Sequence, residues 1–313
     1  MLGRVERALR RLVVGAVAAV GAATLLGLFD RVFWVFVVAD VFRVQYTVVL
    51  GVAAVAAAAL RCFRLAAAGV ALAAVNIVVL AAPFPTSGTP LPRGAHRSVR
   101  LLIANVETGN THYADVERLI DRTHPDVVGI VELTPAMAAH LRQALPAYTA
   151  RRLAPQANAY GIGVFSRLPL SASIEHNPAD APPVVVAGIR VRGKAVTVVV
   201  AHVHTPFKGS IYHRQLDALA QERPSFGRRV VICGDFNTPP WAGPLRKLAE
   251  SARLAELYGR GAWSGYSWPT WSWLLRVPLD NCLVSRGVAV VRHDEGSRIG
   301  SDHFPLIVDL AIT

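Results

Sequence analysis

The stretch VVICGDFNTPP, residues 230–240, carries the main signal for the fold of this 313-residue chain. Its first four residues are apolar and predict a β-strand that is buried on both faces. Asp235 and Asn237 follow closely, and Thr238 with two prolines is typical of a loop. The segment therefore predicts a rigid sheet that presents polar side chains at one end.

Similar strand ends occur at five other places beyond residue 98. The polar residues at the six strand ends are Asn105, Glu132, His202 with His204, Asp235 with Asn237, Asp280 with Asn281, and Asp302 with His303. Taken alone, Asn105 is equally well explained as a turn residue, and Glu132 as a cap of the helix that follows it. Six clusters together favour one shared functional site.

Strands and helices mix without strict alternation along residues 98–313. Helical spacing of apolar residues occurs at 113–123, 135–144, 211–221 and 245–254. Arg192-Gly193-Lys194 separates two β-rich runs and predicts a hairpin turn. The pattern therefore predicts an α/β fold, a sandwich of mixed sheets rather than a doubly wound parallel sheet.

The residue types at the strand ends suit phosphoryl chemistry. The candidate metal ligands are Glu132, Asn105 and Asp302. Their oxygens are the ligands that Mg²⁺ prefers, with Mn²⁺ as an alternative. Asp235 can orient or deprotonate a water, while His303 can donate a proton to a phosphoryl oxygen if Asp280 fixes its tautomer. Positioning and charge neutralisation are the main requirements of such reactions.

Seven segments, in this order, resemble the endonuclease/exonuclease/phosphatase superfamily, which includes DNase I-like nucleases, inositol polyphosphate phosphatases and neutral sphingomyelinases. The segments are LLIANVETGN (101–110), PDVVGIVEL (125–133), YGIGVFSRLPL (160–170), VVVAHVHTP (198–206), VVICGDFNTPP (230–240), PLDNCLVS (278–285) and GSDHFPLIVDL (300–310). They span nearly the whole of 98–313, and GDFN followed by SDH is the most specific part. The resemblance implies a four-layer sandwich of two β-sheets flanked by helices.

The resemblance also implies individual roles. For the metal site it implies Asn105 and Glu132, with Asp302 as a further acid for metal or phosphate. For the reaction it implies Asp235 as the group that activates water, His303 as the catalytic histidine with Asp280 as its partner, and Asn237 and His202 as phosphate contacts. The sequence departs from the family at Asn281, where a histidine often stands, and His204 is an alternative to His202.

The first 84 residues predict a transmembrane anchor. Uncharged segments at about 12–29, 44–60 and 65–84 are each long enough to cross a hydrocarbon core of about 30 Å as a helix. Residues 32–42 are too short to cross and are predicted to lie in the interface or to re-enter. A cleaved signal peptide would explain the first segment but not the other two. Residues 85–97, rich in Pro, Gly, Ser and Thr, predict a linker to a catalytic domain at 98–313.

The distribution of arginine predicts the orientation in the membrane. Arg4, Arg7, Arg10 and Arg11 precede the first segment, and Arg61 with Arg64 separates the second from the third. The positive-inside bias then places the N-terminus in the cytoplasm, and three crossings put the catalytic domain of this multi-pass cell-membrane protein outside it. Two crossings would leave that domain inside. Of the net charge of +12, only +5 belongs to residues 100–313, which suits an anionic substrate but does not require nucleic acid.

Cysteines and tryptophans leave alternatives open. Cys233 and Cys282 lie in apolar strand-like runs, and buried free thiols are favoured over a disulfide. Four of the six tryptophans cluster just before Asp280, namely Trp263, Trp268, Trp271 and Trp273. They are explained either as packing in the core and rim or as an apolar wall for a lipid-like substrate, and packing is favoured.

These observations predict a membrane-anchored, metal-dependent phosphoester hydrolase, a phosphatase or phosphodiesterase, that acts outside the cytoplasm. The composition and the anchor resemble membrane-anchored members of the teicoplanin-resistance type, which implies a lipid-linked pyrophosphate as substrate. An anchored DNase I-like nuclease is the first alternative and predicts a basic groove. A non-catalytic scaffold on the same fold is the second. The expected partners are a lipid bilayer and a phosphate ester, lipid-linked or nucleic acid, without an obligate protein partner.

Overall fold

A computed structural model describes residues 2–84, 88–176, 178, 180–256 and 265–313. Contacts divide the chain into two compact units. One comprises Met1–Pro83 and Trp241–Gly243, and the other comprises Phe84–Pro240 and Pro244–Thr313. Trp263, one of the four tryptophans singled out in the sequence, lies outside the described residues.

The first unit is helical. Its α-helices are α1 (Leu2–Leu26), α2 (Trp34–Asp40), α3 (Arg43–Ala59) and α4 (Phe63–Ala81). Two helical segments, Arg4–Phe29 and Phe63–Ala81, are long and apolar enough to cross a membrane. Helix α3 has 17 residues and reaches that length only together with α2, from which it is bent by 60°. The predicted first and third crossings therefore have candidate helices, whereas the second depends on counting a bent pair as one span.

A buried polar cluster joins the four α-helices of this unit. Arg43 donates hydrogen bonds to Asp40 and, at 2.9 Å, to Oδ1 of Asn76. The amide nitrogen of Asn76 donates at 2.9 Å to the hydroxyl of Thr24. All four side chains are buried. Because a buried charge is costly without a partner, this network favours one relative register of α1, α2, α3 and α4.

The second unit contains two β-sheets. In the residues that the structure describes, its strands are β1 (Val99–Asn105), β2 (Val127–Val131), β3 (Ala150–Ala154), β4 (Ile162–Ser166), β5 (Leu170–Glu175), β6 (Val184–Val191), β7 (Lys194–His202), β8 (Val230–Asp235), β9 (Ala255–Glu256), β10 (Asp280–Val284), β11 (Val288–Glu295) and β12 (Leu306–Ile312). Its α-helices are α5 (Tyr113–Thr123), α6 (Pro135–Ala144), α7 (Ser210–Glu222) and α8 (Gly243–Ala252).

Both sheets have six strands and are mixed. The first has the order β11-β12-β1-β2-β4-β3 and the second β5-β6-β7-β8-β10-β9. The pairs β1/β2 and β7/β8 are parallel, and the other pairs are antiparallel. The predicted α/β fold with two mixed sheets flanked by helices is confirmed. The predicted hairpin at Arg192 and Gly193 is also present, with φ of 49° and 78°, the positive values that a tight β-turn of this hand requires.

The main core lies between the sheets. Leu101 and Ile103 of β1 belong to the same buried cluster as Val198 and Val200 of β7. The sheets come so close at Gly129 that an added Cβ would lie 2.7 Å from a methyl group of Val200. On the other face of the first sheet, a second cluster joins β1, β2 and β4 to α5 and α6. These layers hold the strand ends in fixed positions.

The preference for free thiols is wrong. Cys233 of β8 and Cys282 of β10 form a disulfide. They are direct cross-strand partners, and their Cα atoms are 4.1 Å apart. The sequence does not show this pairing, because the two strands are separated by 49 residues and adjoin only in the folded sheet.

Candidate active site

Strand pairing brings the predicted site residues to one edge of the sandwich. Asn105 ends β1 and Glu132 follows β2, and these strands are parallel neighbours in the first sheet. In the second sheet, His202 of β7 lies opposite Asp235 of β8, and Asp280 of β10 lies opposite Asp235 from the other side. The amide nitrogen of Asn105 donates to Oδ2 of Asp235 at 3.1 Å and so joins the two sheets.

One close approach of backbone makes this arrangement possible. Gly234 precedes Asp235 and pairs with Ala201 of β7. Its φ is +146°, and an added Cβ would lie 1.8 Å from the carbonyl oxygen of Ala201. Only glycine fits this position, which sets Asp235 opposite His202.

Asn105 and Glu132 form one polar cluster. The amide nitrogen of Asn105 donates to Oε1 of Glu132 at 3.0 Å, and the backbone and hydroxyl of Thr108 donate to Oε2 at 3.0 and 2.9 Å. Glu132 does not cap helix α6, because the hydroxyl of Thr134 accepts the hydrogen bond from the N–H of Met137. The φ of Glu132 is +59°, a strained value for a non-glycine residue and one that is common at functional sites.

Asp235, Asn237 and His202 form a second cluster. The backbone N–H of Asn237 donates to Oδ1 of Asp235 at 2.8 Å, and the amide nitrogen of Asn237 lies 3.5 Å from Nε2 of His202. Nε2 of His202 is also 3.8 Å from Oδ2 of Asp235. Nδ1 of His202 lies 2.9 Å from the carbonyl oxygen of Ala159, which leaves Nε2 facing Asp235.

His204 lies in different surroundings. Its Nδ1 is 3.5 Å from the hydroxyl of Tyr160, and the two rings meet edge to face. Burial, followed by the charge of His202, lowers the pKa of His204 below its ordinary value. Of the two histidines that the sequence offers, the structure brings His202 to Asp235 and sets His204 against Tyr160.

His303 lies between two buried carboxylates. Its Nδ1 is 2.6 Å from Oδ2 of Asp280, and its Nε2 is 3.7 Å from Oδ2 of Asp235. His303 is 5% exposed and both acids are 1% exposed. Burial by itself lowers the pKa of His303, but the charges of Asp280 and Asp235 and the hydrogen bond to Asp280 outweigh it and raise the pKa to about 10. The imidazole is therefore cationic at neutral pH.

The pKa of Asp235 is also displaced. Burial raises it above its ordinary value, and this effect outweighs the attraction of His303. The charge of Asp280 raises it further, while His202 lowers it. A carboxylate with a raised pKa accepts a proton more readily, which is the property that a general base requires.

Asp302 lies between His303 and a tryptophan-rich loop. Its Oδ1 is 3.9 Å from Nε2 of His303, and its Oδ2 accepts the indole N–H of Trp268 at 2.9 Å. Its backbone N–H donates to Oε2 of Glu107 at 3.0 Å, and its carbonyl accepts from the N–H of Thr270 at 2.8 Å. The half-buried Trp268 fits the packing explanation, whereas Trp271 is 67% exposed and does not.

Sequence reasoning missed residues that hold the site together. Thr108 and Glu107 contact Glu132 and Asp302, as described above. The hydroxyl of Ser301 donates to the carbonyl of Asn105 at 2.8 Å and accepts from the N–H of His303 at 3.0 Å. The sequence signal for these residues is their position within three residues of a predicted site residue.

The site offers two sets of possible metal ligands. Among the described residues, Asp235, Asp280 and His303 have ligand atoms within 4.8 Å of one another. Of the predicted ligands, Asn105 and Glu132 lie beside Asp235, whereas Asp302 adjoins His303. Oxygen atoms of Glu132 and Asp235 both point at the amide nitrogen of Asn105, so two carboxylates converge on one partial positive charge. A hard divalent cation fits this oxygen-rich chemistry.

The fold and the site together define an α/β sandwich of the DNase I-like class. The chain belongs to the Endonuclease/Exonuclease/phosphatase family, whose sequence profile matches residues 102–303. Members of this superfamily are phosphoester hydrolases and typically depend on divalent metals. The match is to the family as a whole, so the narrower resemblance to the teicoplanin-resistance type stays a prediction.

Solved structures share the fold. D. rerio TDP2 complexed with single strand DNA product has 18% identity and a TM-score of 0.58, with 68% of this chain and 98% of that chain covered. The human Nocturnin catalytic domain with bound sulfate anion has 15% identity and a TM-score of 0.56, covering 70% and 96%. A family protein from Beutenbergia cavernae has 17% identity and a TM-score of 0.53, covering 69% and 72%. A search of curated protein sequences gives no significant match.

Proposed function

We propose that this protein is a membrane-anchored, metal-dependent phosphoester hydrolase that acts outside the cytoplasm on a lipid-linked phosphate or pyrophosphate. The observation that carries the hydrolase assignment is the buried arrangement in which Nε2 of His303 lies 3.7 Å from Asp235 while Asp280 holds Nδ1. It combines a cationic hydrogen-bond donor with a carboxylate that accepts a proton.

The residues divide the reaction between them. Asp235 takes the proton of a water whose oxygen attacks phosphorus, and the bond from phosphorus to the leaving oxygen breaks. His303, held cationic by Asp280, donates a hydrogen bond to the phosphoryl oxygens as negative charge accumulates on them. Asn237 and His202 bind the phosphate from the side of β7.

Glu132 and Asn105 would hold the metal, with Asp302 as a further acid of the site. Mg²⁺ is the expected ion and Mn²⁺ the alternative, since both take oxygen ligands. When bound, the cation supplies neutralisation of the phosphoryl charge and orientation of the ester. The convergence of Glu132 and Asp235 on the Asn105 amide supports this assignment.

Two observations support the location. The chain has two helical segments of membrane-spanning length, or three if the bent pair counts as one. The Cys233–Cys282 disulfide is typical of proteins outside the reducing cytoplasm. Together with the arginines before α1, they favour a catalytic domain on the outer side. An anchor of this kind raises the effective concentration of the enzyme near lipid-linked substrates. For this reason we propose a lipid-linked phosphate or pyrophosphate as the substrate.

The test uses the full-length protein in detergent micelles. Phosphate release from a polyprenyl pyrophosphate and cleavage of plasmid DNA are measured with Mg²⁺ and again with EDTA. We expect EDTA-sensitive phosphate release that Asp235→Asn abolishes. Asp217→Asn is the matched control, because Asp217 is an exposed acid that pairs with Lys247 on the surface.

The other outcomes separate the alternatives. DNA cleavage without phosphate release would replace the proposal with an anchored nuclease. Absence of both activities in a folded protein that binds Mg²⁺ would favour a non-catalytic scaffold. Phosphate release that persists in Asp235→Asn would overturn the role of that carboxylate.

A further inference from the structure

Residues 271–275, WSWLL, form the most apolar exposed segment in the described part of residues 98–313. Trp271, Trp273, Leu274 and Leu275 are 67%, 77%, 61% and 41% exposed. In the described part of residues 98–313, Phe207 is the one other large apolar side chain with comparable exposure, at 66%. Soluble surfaces rarely place four such side chains within five residues, so this tip is marked as an interaction surface.

The loop that carries this tip is attached to the active site. Trp268 and Val277 exchange backbone hydrogen bonds of 3.1 and 2.6 Å, which close the base of the loop. Trp268 and Thr270 bond to Asp302, and the hydroxyl of Thr270 donates to the carbonyl of Ser301 at 3.0 Å. The base of the loop is therefore fixed beside the segment that carries His303.

Phe207 occupies a second loop of the same rim. It lies in a short 3-10 turn, Pro206–Lys208, that follows β7 and is five residues beyond His202. The exposed apolar side chains thus leave the sandwich from two loops next to residues of the site. Within the described part of residues 98–313, the opposite ends of the strands carry no such group.

We propose that the 271–275 tip enters the headgroup region of a lipid bilayer and holds the active site at the membrane surface. That the tip brings the active site to a lipid-linked substrate rests on the proposed function, whereas the insertion itself does not. A bilayer is favoured over a protein partner because the same chain carries helices of membrane-spanning length. Tryptophan is the residue best suited to the boundary between hydrocarbon and headgroups.

The charges near the tip fit the same partner. Arg276 follows Leu275 directly and lies over the ring of Phe304, 4.3 Å from its centroid. Lys208 likewise follows Phe207. An apolar tip with a cation at its polar end matches a membrane interface whose headgroups are anionic.

The first test places a probe on the tip of the full-length protein. Ser272→Cys, in a Cys62→Ser background, is labelled with an environment-sensitive NBD fluorophore and reconstituted into phosphatidylcholine–phosphatidylglycerol vesicles. We expect a blue-shifted emission that doxyl-labelled lipid quenches and that aqueous iodide does not. The matched control is Ser225→Cys, which lies just before β8 at the end opposite Asp235.

The second test separates insertion from catalysis. The double variant Trp271→Ser, Trp273→Ser is compared with the wild type on a lipid-linked pyrophosphate in vesicles and on a water-soluble phosphate ester. We expect the KM for the vesicle substrate to rise at least about tenfold, because each large apolar side chain that leaves lipid weakens binding by about that factor. Hydrolysis of the soluble ester should not change.

Each outcome bears on one hypothesis. A tip probe that iodide quenches as strongly as the Ser225 control would overturn the insertion, even if lipid-linked pyrophosphate is hydrolysed. A lipid-quenched probe on a protein without that activity would leave the insertion standing and remove the proposed substrate. A blue shift that depends on protein density and not on doxyl-labelled lipid would assign the tip to contact between copies of this chain.

Discussion

Asp280→Asn is expected to lower the pKa of His303 by about 1 to 3 units, the usual effect of losing one close opposite charge. The substitution keeps the shape of the side chain but removes its negative charge. In the wild type the pKa lies at about 10 instead of 6.5, although burial alone lowers it. The 2.6 Å contact with Asp280 is the shortest of the three that His303 makes with acids. Its loss should therefore bring the titration midpoint of the imidazole into the range between pH 6 and 9.

The same shift has a consequence for stability. A rise from 6.5 to about 10 corresponds to about 5 kcal/mol of preference for the charged imidazole in the folded state. Since the folded pKa is raised, this contribution is fully present below pH 6.5 and is lost as the pH rises through 10. Unfolding free energy in the wild type should fall over this window by up to about 1.4 kcal/mol per pH unit, and the slope should flatten in Asp280→Asn.

Exchange of the histidine C2 hydrogen for deuterium measures this pKa in the full-length protein. Trypsin cleaves after Arg298, and the peptide 299–313 contains His303 as its sole histidine. Exchange is followed by mass spectrometry between pH 6 and 9, with EDTA present so that no divalent cation competes. We expect no midpoint in this range for the wild type and a midpoint within it for Asp280→Asn. Asp217→Asn serves as the control.

A wild-type midpoint near 6.5 would refute the electrostatic reasoning, because it would mean that the two buried acids do not hold the imidazole charged. An unchanged exchange profile in Asp280→Asn would instead assign the shift to Asp235. Either result would remove Asp280 as the group that fixes the charge of His303.

Three further changes have expected outcomes. Cys282→Ser should lower the unfolding free energy by about 4 kcal/mol, because the disulfide closes a separation of 49 residues; denaturant titration checks this, and an effect no larger than that of Cys62→Ser would contradict it. Gly234→Ala should abolish activity and lower the unfolding free energy by more than about 1 kcal/mol, since its methyl group would clash with the carbonyl oxygen of Ala201. An unchanged Tm and rate would show that the strands tolerate a side chain at this position. Thr108→Ala removes a 2.9 Å hydrogen bond to Glu132, worth about 1.5 to 3 kcal/mol, and should weaken activation by Mg²⁺ at least about tenfold; an unchanged activation curve would count against Glu132 as a metal ligand.

The central strands could be predicted from the sequence because burial on both faces leaves long apolar runs. Strand β8 is an example, and its polar ending at Asp235 also located the site. Strand β3 was not predicted, because it lies at the edge of its sheet and its middle residues Arg151 and Arg152 are exposed. Edge strands carry polar residues and lack the apolar signal.

Which residues of the site contact each other was harder to predict from the sequence than which residues belong to it. The Cys233–Cys282 bond depends on β8 and β10 being neighbours in register, and this register is a property of the whole sheet. The same holds for the distinction between His202 and His204, which lie two residues apart. The positions of Tyr160 and Asp235 around the end of β7 give the two histidines different surroundings.

The charge balance of the site favours the cation that we propose there. Glu132, Asp235 and Asp280 lie together, and His303 is the one group among them that the structure holds cationic. Burial, reinforced by the charge of Asp280, raises the pKa of Asp235, and a proton bound there removes one negative charge from the cluster. A divalent cation held by Glu132 and Asn105 would neutralise the same excess without a proton on Asp235. Proton binding and cation binding are therefore competing ways to stabilise one cluster, and cation binding favours the ionised form of Asp235, which can accept the proton of a water.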